Sequence, residues 1–222
     1  FGFLLFSAGD FFRIEKEKVD IAVLQTGLLV EEKWNLKAHE ESFISSKLQL
    51  KRIWNELEQV EIADLIVLPE VCLPGDGSLK RYSPDDLKGI FPEDVLPFFS
   101  EGYLSNLDVF LALSIYLNSD IMIGLIEDSK NSCFYLSSGK VLGRYDKRRL
   151  VPFGEYIPFK FLTPVAKKYG MESSFISGGE FSIMEGKWGV LPTICFDEGY
   201  PDDFVKVSKQ KPDIHINLSN DA

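Results

Sequence analysis

The segment Asp64-Leu65-Ile66-Val67-Leu68-Pro69-Glu70 reads as a short β-strand buried on both faces. Four consecutive apolar residues leave no polar alternation, and Pro69 stops the run. On its N-terminal side, residues 38–60 carry a helical pattern. Leu50, Ile53, Trp54 and Leu57 recur at i, i+3, i+4 and i+7 with charges between them. Before that lies another apolar, β-rich run, Val19 to Gln25. On the C-terminal side Leu104 to Leu117 reads as a helix and Ile121 to Ile126 as a strand. Phe134-Tyr135-Leu136 and Val141 to Tyr145, joined through Ser137-Ser138-Gly139-Lys140, read as a hairpin. A short helix over Phe159 to Tyr169, interrupted by Pro164, is followed by a strand at Val190 to Cys195. A helix at Asp202 to Ser208 and a strand at Ile214 to Leu218 complete the order. Strands alternating with helices early, and a hairpin in the middle, give an α/β class with mixed sheets. With no internal repeat and no Gly/Ser linker, residues 18–222 form one domain.

Apolar residues make up 45% of the 222, enough for a sizeable core. The formal net charge of −10 argues against a general nucleic-acid partner, which would need a basic face. No apolar run is long enough to span a bilayer. The opening Phe1-Gly2-Phe3-Leu4-Leu5-Phe6 is read either as the stub of a hydrophobic helix or signal segment or as an ordinary buried start, so residues 1–17 are set apart as stub and linker. Cys72, Cys133 and Cys195 contain no CxxC pair, and the histidines are His39 and His215 alone. No metal site or cofactor is expected from such a set.

Three segments place a reactive group just beyond a buried strand, where a sheet can hold it rigidly at a cleft. In Leu68-Pro69-Glu70-Val71-Cys72-Leu73-Pro74 a carboxylate sits between prolines. By itself this is an exposed loop glutamate or a general base. In the run from Gly143 to Pro158, Lys147 could stabilise an oxyanion and Glu155 could hold that ammonium, whereas Arg148 and Arg149 read as a solvated charge run. In Leu191-Pro192-Thr193-Ile194-Cys195-Phe196-Asp197-Glu198 a cysteine ends a strand and begins a turn into a helix. A helix N-terminus or a nearby lysine there would depress the thiol pKa. Cys133 reads as a packed residue, and Cys72 as either packing or site lining. Glu70, Lys147 and Cys195 form a coherent set of base, oxyanion holder and nucleophile, whereas neither histidine stands in a recognisable catalytic context.

This pattern resembles the nitrilase, or carbon–nitrogen hydrolase, superfamily, and within it the apolipoprotein N-acyltransferases of bacterial envelopes. The superfamily likeness rests on Pro69-Glu70, Asp146-Lys147 and Cys195 in that order. The narrower one rests on Tyr145-Asp146-Lys147 leading into Leu150-Val151-Pro152-Phe153-Gly154-Glu155-Tyr156-Ile157-Pro158, and on the closing Leu218-Ser219-Asn220-Asp221-Ala222. The resemblance implies a four-layer α-β-β-α sandwich, incomplete at its C-terminal end here. It implies Glu70 as general base, Lys147 as oxyanion lysine, Cys195 as nucleophile and Glu155 as a supporting acid. Asn131 and Trp34 fall where the family has further functional residues. At the nucleophile the acyltransferases usually show Cys-Tyr-Glu, where this chain has Cys195-Phe196-Asp197, and Gly199-Tyr200-Pro201 is reminiscent of soluble amidases.

The function so implied is transfer of an acyl chain from a phospholipid to the N-terminal cysteine amine of an apolipoprotein through a Cys195 thioester. The setting would be the periplasmic side of the bacterial cytoplasmic membrane, with the membrane reached through segments outside this chain. Phe153, Tyr156, Ile157 and Phe159 could face lipid or belong to the core. The alternatives are a soluble amidase using the same three residues, and a non-catalytic domain that binds lipid or lipoprotein.

Overall fold

The computed structural model describes residues 18–25, 46–159 and 175–220. The helical pattern begins, within this range, at α1 (Ser46–Leu57), and the strand at Val19 to Gln25 is confined to β1 (Ile21–Val23). β2 is Leu65–Val67. It is followed by two elements absent from the expected order, the short helix α2 (Pro84–Lys88) and a 3-10 turn at Leu96–Phe98. Next come α3 (Asn106–Tyr116), β3 (Asp120–Glu127), β4 (Lys130–Ser137) and β5 (Lys140–Asp146). The C-terminal part holds β6 (Met184–Glu185), β7 (Gly189–Ile194), α4 (Pro201–Ser208) and β8 (Ile214–Leu218). The expected helix at Phe159 to Tyr169 lies, beyond Phe159, outside the described residues, as do residues 1–17.

The strands form two sheets. The first runs β1-β2-β3-β4-β5, with β1, β2 and β3 parallel and β3, β4 and β5 antiparallel. The second runs β6-β7-β8, with β7 and β8 parallel. Helices α2 and α3 start at serines whose hydroxyls accept the N3 backbone amide while the N3 aspartate returns the contact, Ser83 with Asp86 and Ser105 with Asp108. Such capping boxes satisfy orphan amides and stabilise a helix by about 1 kcal/mol.

The strict alternation of a strand explains why β2 carries no polar residue. Ile66 and Leu68 enter a core shared with Leu50, Ile53, Trp54 and Leu57 of α1 and Val109, Phe110 and Leu113 of α3. Leu65 and Val67 enter a second core with Met122, Cys133, Tyr135, Val190, Ile194 and Leu218, between the two sheets. The architecture is therefore helices, sheet, sheet, with α4 packed against the second core through Val207. This is the α/β sandwich with mixed sheets that the sequence implies.

Candidate active site

Three strand ends converge. Glu70 follows β2, Lys147 follows β5, and Cys195 follows β7. The Lys147 side chain is 1% exposed. Its Nζ donates to Glu70 Oε1 at 3.0 Å and to Glu155 Oε1 at 2.9 Å. A buried ammonium is costly unless it is paired, and here it is paired twice. Burial works against the charged form, but Glu70 and then Glu155 outweigh it and hold the lysine pKa above its ordinary value.

Asn131 completes this cluster. Its Nδ2 donates to Glu70 Oε1 at 2.7 Å and lies 3.2 Å from Glu155 Oε1. Its carbonyl accepts the Lys147 amide at 2.7 Å, extending the β4–β5 ladder by one step. Glu155 is fixed in turn by Val151, whose amide donates to Oε2 at 2.8 Å. The lysine carbonyl accepts the Gly178 amide at 2.8 Å. Both contacts to Glu70 fall on Oε1, and among the described residues Oε2 receives none.

Cys195 opens a 3-10 turn, Cys195–Gly199, and takes a left-handed backbone with φ 47°. A non-glycine residue there carries local strain of about 1–2 kcal/mol. The sequence suggested a depressed thiol pKa. The structure gives the opposite direction. Burial raises it most, Glu70 raises it further, and Lys147 and a hydrogen bond with Ser219 offset this only in part. The helix expected to help starts at Pro201, separated from the thiol by the 3-10 turn.

Asp197 holds this turn in place. It is fully buried, and its Oδ2 accepts the Ile194 amide at 3.1 Å and the Tyr145 hydroxyl at 2.8 Å. Its Oδ1 accepts the Arg149 amide at 2.8 Å. One carboxylate thus ties the residue before the cysteine to residues on both sides of Lys147. Burial raises its pKa despite these three donors. Phe196, by contrast, is exposed and meets Tyr200 edge-on at 5.3 Å.

Arg148 and Arg149 are not a solvated charge run. Both pair with Asp203 of α4, and the Arg149 guanidinium also lies 4.6 Å from the centre of the Tyr200 ring. They are drawn into partial burial because α4 packs beside the lysine segment and offers a carboxylate there. Cys133 and Cys72 are both fully buried, which places Cys72 in the core. Phe153 and Phe159 are exposed, at 58% and 56%, while Tyr156 and Ile157 are half-buried. Trp34 and His39 lie outside the described residues. His215 sits on β8 with its Nε2 3.0 Å from Thr193 Oγ1.

Gly124 escaped the sequence reading. A Cβ at this position of β3 would stand 2.6 Å from the Pro69 carbonyl and 2.7 Å from the Glu70 Cα. Only a bare backbone lets the glutamate loop lie this close to the strand. The signal was present, since a lone glycine inside an apolar strand often marks a close backbone approach. Tyr145 was read only as a strand end and as part of the motif, because its role depends on a partner that is 52 residues away in sequence.

The carbon–nitrogen hydrolase family profile matches residues 21–222. An apolipoprotein N-acyltransferase of Chlamydia caviae is 34% identical over 177 residues, which are 72% of this chain and 32% of that protein. A protein of the same name from Photobacterium profundum is 24% identical over 223 residues, covering 93% of this chain and 37% of that protein. The chain spans about a third of the length of these relatives. Among solved structures, a carbon–nitrogen hydrolase from Helicobacter pylori aligns over 90% of this chain and 59% of its own, with a TM-score of 0.57 and 21% identity. Nit3 of Saccharomyces cerevisiae, a nitrilase-superfamily member, aligns over 93% of this chain and 66% of its own, with a TM-score of 0.54 and 15% identity. These two likenesses speak for the fold.

Proposed function

The chain belongs to the carbon–nitrogen hydrolase family, and from that premise we propose that its site transfers an acyl group through a thioester on Cys195. The observation that carries this is the buried Lys147 held between Glu70 and Glu155, with the Cys195 thiol within their electrostatic reach. Glu70 takes the thiol proton on Oε2 as sulfur attacks an acyl carbonyl. An ammonium has three donors, and two are committed to carboxylates. The third is left for the tetrahedral oxyanion. Collapse of that intermediate expels the leaving alcohol, to which Glu70 returns the proton. An incoming amine then attacks the thioester, Glu70 accepts the amine proton, and sulfur leaves as the thiol.

The thiol pKa, raised by burial and by Glu70, fits this division of labour. A thiol that stays protonated at rest is silent until a substrate is in place, and it needs a base beside it. The acceptor is an amine of an apolipoprotein, in keeping with the names of the relatives, and the donor a phospholipid, as the family resemblance of the Tyr145 to Pro158 run implies. The protein would then work at the periplasmic face of the bacterial cytoplasmic membrane. No helix among the described residues is long and apolar enough to cross a membrane. The exposed Phe153 and Phe159 border Glu155 in sequence and offer apolar surface to an acyl chain.

Intact mass after incubation with phospholipid, with Cys195→Ala alongside, tests this. A gain of one acyl group on the unsubstituted protein alone is expected. No gain, together with turnover of small amides, would replace the acyltransferase by an amidase. No gain and no turnover by folded protein would leave a binding domain.

A further inference from the structure

The loop that carries Glu70 is an arch. Its inner side is tied to β3 at two places, where the Cys72 amide donates to the Gly124 carbonyl at 3.0 Å and the Gly77 amide to the Ile126 carbonyl at 2.6 Å. Val71, between Glu70 and the first tie, has φ 44°, and between the ties the chain turns through Gly75 at φ 77°. At the Pro74 and Asp76 carbonyls the donor comes from outside the sheet, from Arg81. Its guanidinium donates to the Pro74 carbonyl at 2.7 Å and to the Asp76 carbonyl at 2.8 Å, and it reaches Ser46 Oγ at the start of α1 at 3.0 Å. The fit is close, since a Cβ on Gly75 would lie 2.7 Å from the guanidinium. Two fully buried side chains add longer contacts. Asn106 Nδ2 approaches the Pro74 carbonyl, and Gln49 Nε2 the Cys72 carbonyl, each at 3.4 Å. Tyr82 orients Asn106 by donating to its Oδ1 at 2.6 Å.

We propose that Arg81, with Asn106 behind it, is a positioning residue for the general base: it closes the arch that sets where the Glu70 carboxylate stands relative to Lys147 and Cys195. A planar fork with several donors at fixed angles suits this task, because one side chain spans two carbonyls and a hydroxyl. The guanidinium touches no reacting atom. Its effect passes through the backbone to Glu70. The proposal rests on the reading of Glu70 as the base.

The test is a burst assay on the intact protein with a p-nitrophenyl ester, which acylates the cysteine and releases nitrophenolate. The burst amplitude counts competent molecules, and the rate constant reports their geometry. Misplacing a catalytic group by about 1 Å costs up to about 100-fold in rate. Arg81→Gln should therefore lower the acylation rate constant by about 10- to 100-fold at near-normal amplitude, and Arg81→Lys by less. Because Arg81 acts through Glu70, adding Arg81→Gln to Glu70→Gln should lower the rate no further than Glu70→Gln alone. An unchanged rate constant in the competent fraction, whatever the loss of amplitude, would overturn the proposal. So would full multiplicativity of the two substitutions. If Arg81→Gln gives no burst because it does not fold, Arg81→Lys carries the same comparison. A parallel arm with phospholipid separates the two ideas. Failure of the unsubstituted protein there, with the ester burst intact, removes the donor assignment while the ester rates still decide the role of Arg81.

Discussion

The loops after β2 and β7 meet the same demand by different means. Each presents a reactive side chain just past a buried parallel strand, and each uses a non-glycine residue in the left-handed region, Val71 at φ 44° and Cys195 at φ 47°. Around Glu70 the restraint is distributed. Two ties to β3, the Arg81 fork and the Lys147 and Asn131 contacts each hold part of it. Around Cys195 the restraint is concentrated. Asp197 gathers three donors on one carboxylate, and besides it the Cys195 carbonyl has a 3.4 Å contact with Asn217 Nδ2. A distributed restraint degrades gradually, whereas a concentrated one fails at a single substitution.

Asp197→Ala should therefore give the largest effect. It strands the Tyr145 hydroxyl and the Ile194 and Arg149 amides, and each unsatisfied buried group costs about 1–3 kcal/mol. Urea unfolding should show a loss of about 3 kcal/mol or more, and acylation should fall below detection. A stable, active Asp197→Ala protein would break the contrast. Gly124→Ala comes next. Its new methyl meets the Pro69 carbonyl and must push the Glu70 loop off the strand. Overpacking of this kind costs about 1–3 kcal/mol. Acylation should slow by about 10- to 100-fold while the burst amplitude persists. If Gly124→Ala acylates at the normal rate, the arch is looser than its contacts imply.

The same contrast explains what could be read in advance. The α/β class, all the described strands but β6 and the segments bearing Glu70, Lys147, Glu155 and Cys195 were legible, because local periodicity and a long motif carry them. α2, the two-residue β6 and the Leu96–Phe98 turn were not, because each is too short to show a period. The direction of the thiol shift was misjudged. A lysine near Cys195 could be inferred from the motif, but the burial of the thiol and the larger influence of Glu70 depend on how three strand ends meet. The partners of Arg148 and Arg149 likewise come from Asp203, 54 residues or more beyond them.

Tyr145→Phe sharpens the comparison at smaller scale. It keeps the ring stacked on Phe181, whose centre lies 5.1 Å away, and removes one of the three donors to Asp197. The loss should be about 1 kcal/mol in urea unfolding, with acylation reduced less than by Gly124→Ala. An effect as large as that of Asp197→Ala would mean that the clamp depends on the tyrosine rather than on the carboxylate.

The finest test uses pH and asks how strongly the two loops sense each other. The Cys195 thiol pKa is raised by burial first and by the Glu70 carboxylate second. Alkylation by iodoacetamide requires the thiolate and no base in its transition state. Its rate should therefore rise with pH through a midpoint above the ordinary thiol range. Cys72 and Cys133 are buried and should not interfere. Glu70→Gln removes one raising cause, so the midpoint should move down and alkylation at neutral pH should quicken. Acylation by an ester should slow in the same protein, because the base is gone. Opposite signs from one substitution separate the two things that a carboxylate does to a neighbouring thiol, opposing its ionisation at rest and accepting its proton during attack. If both rates fell together, Glu70 would be acting on the fold of the site rather than on the thiol.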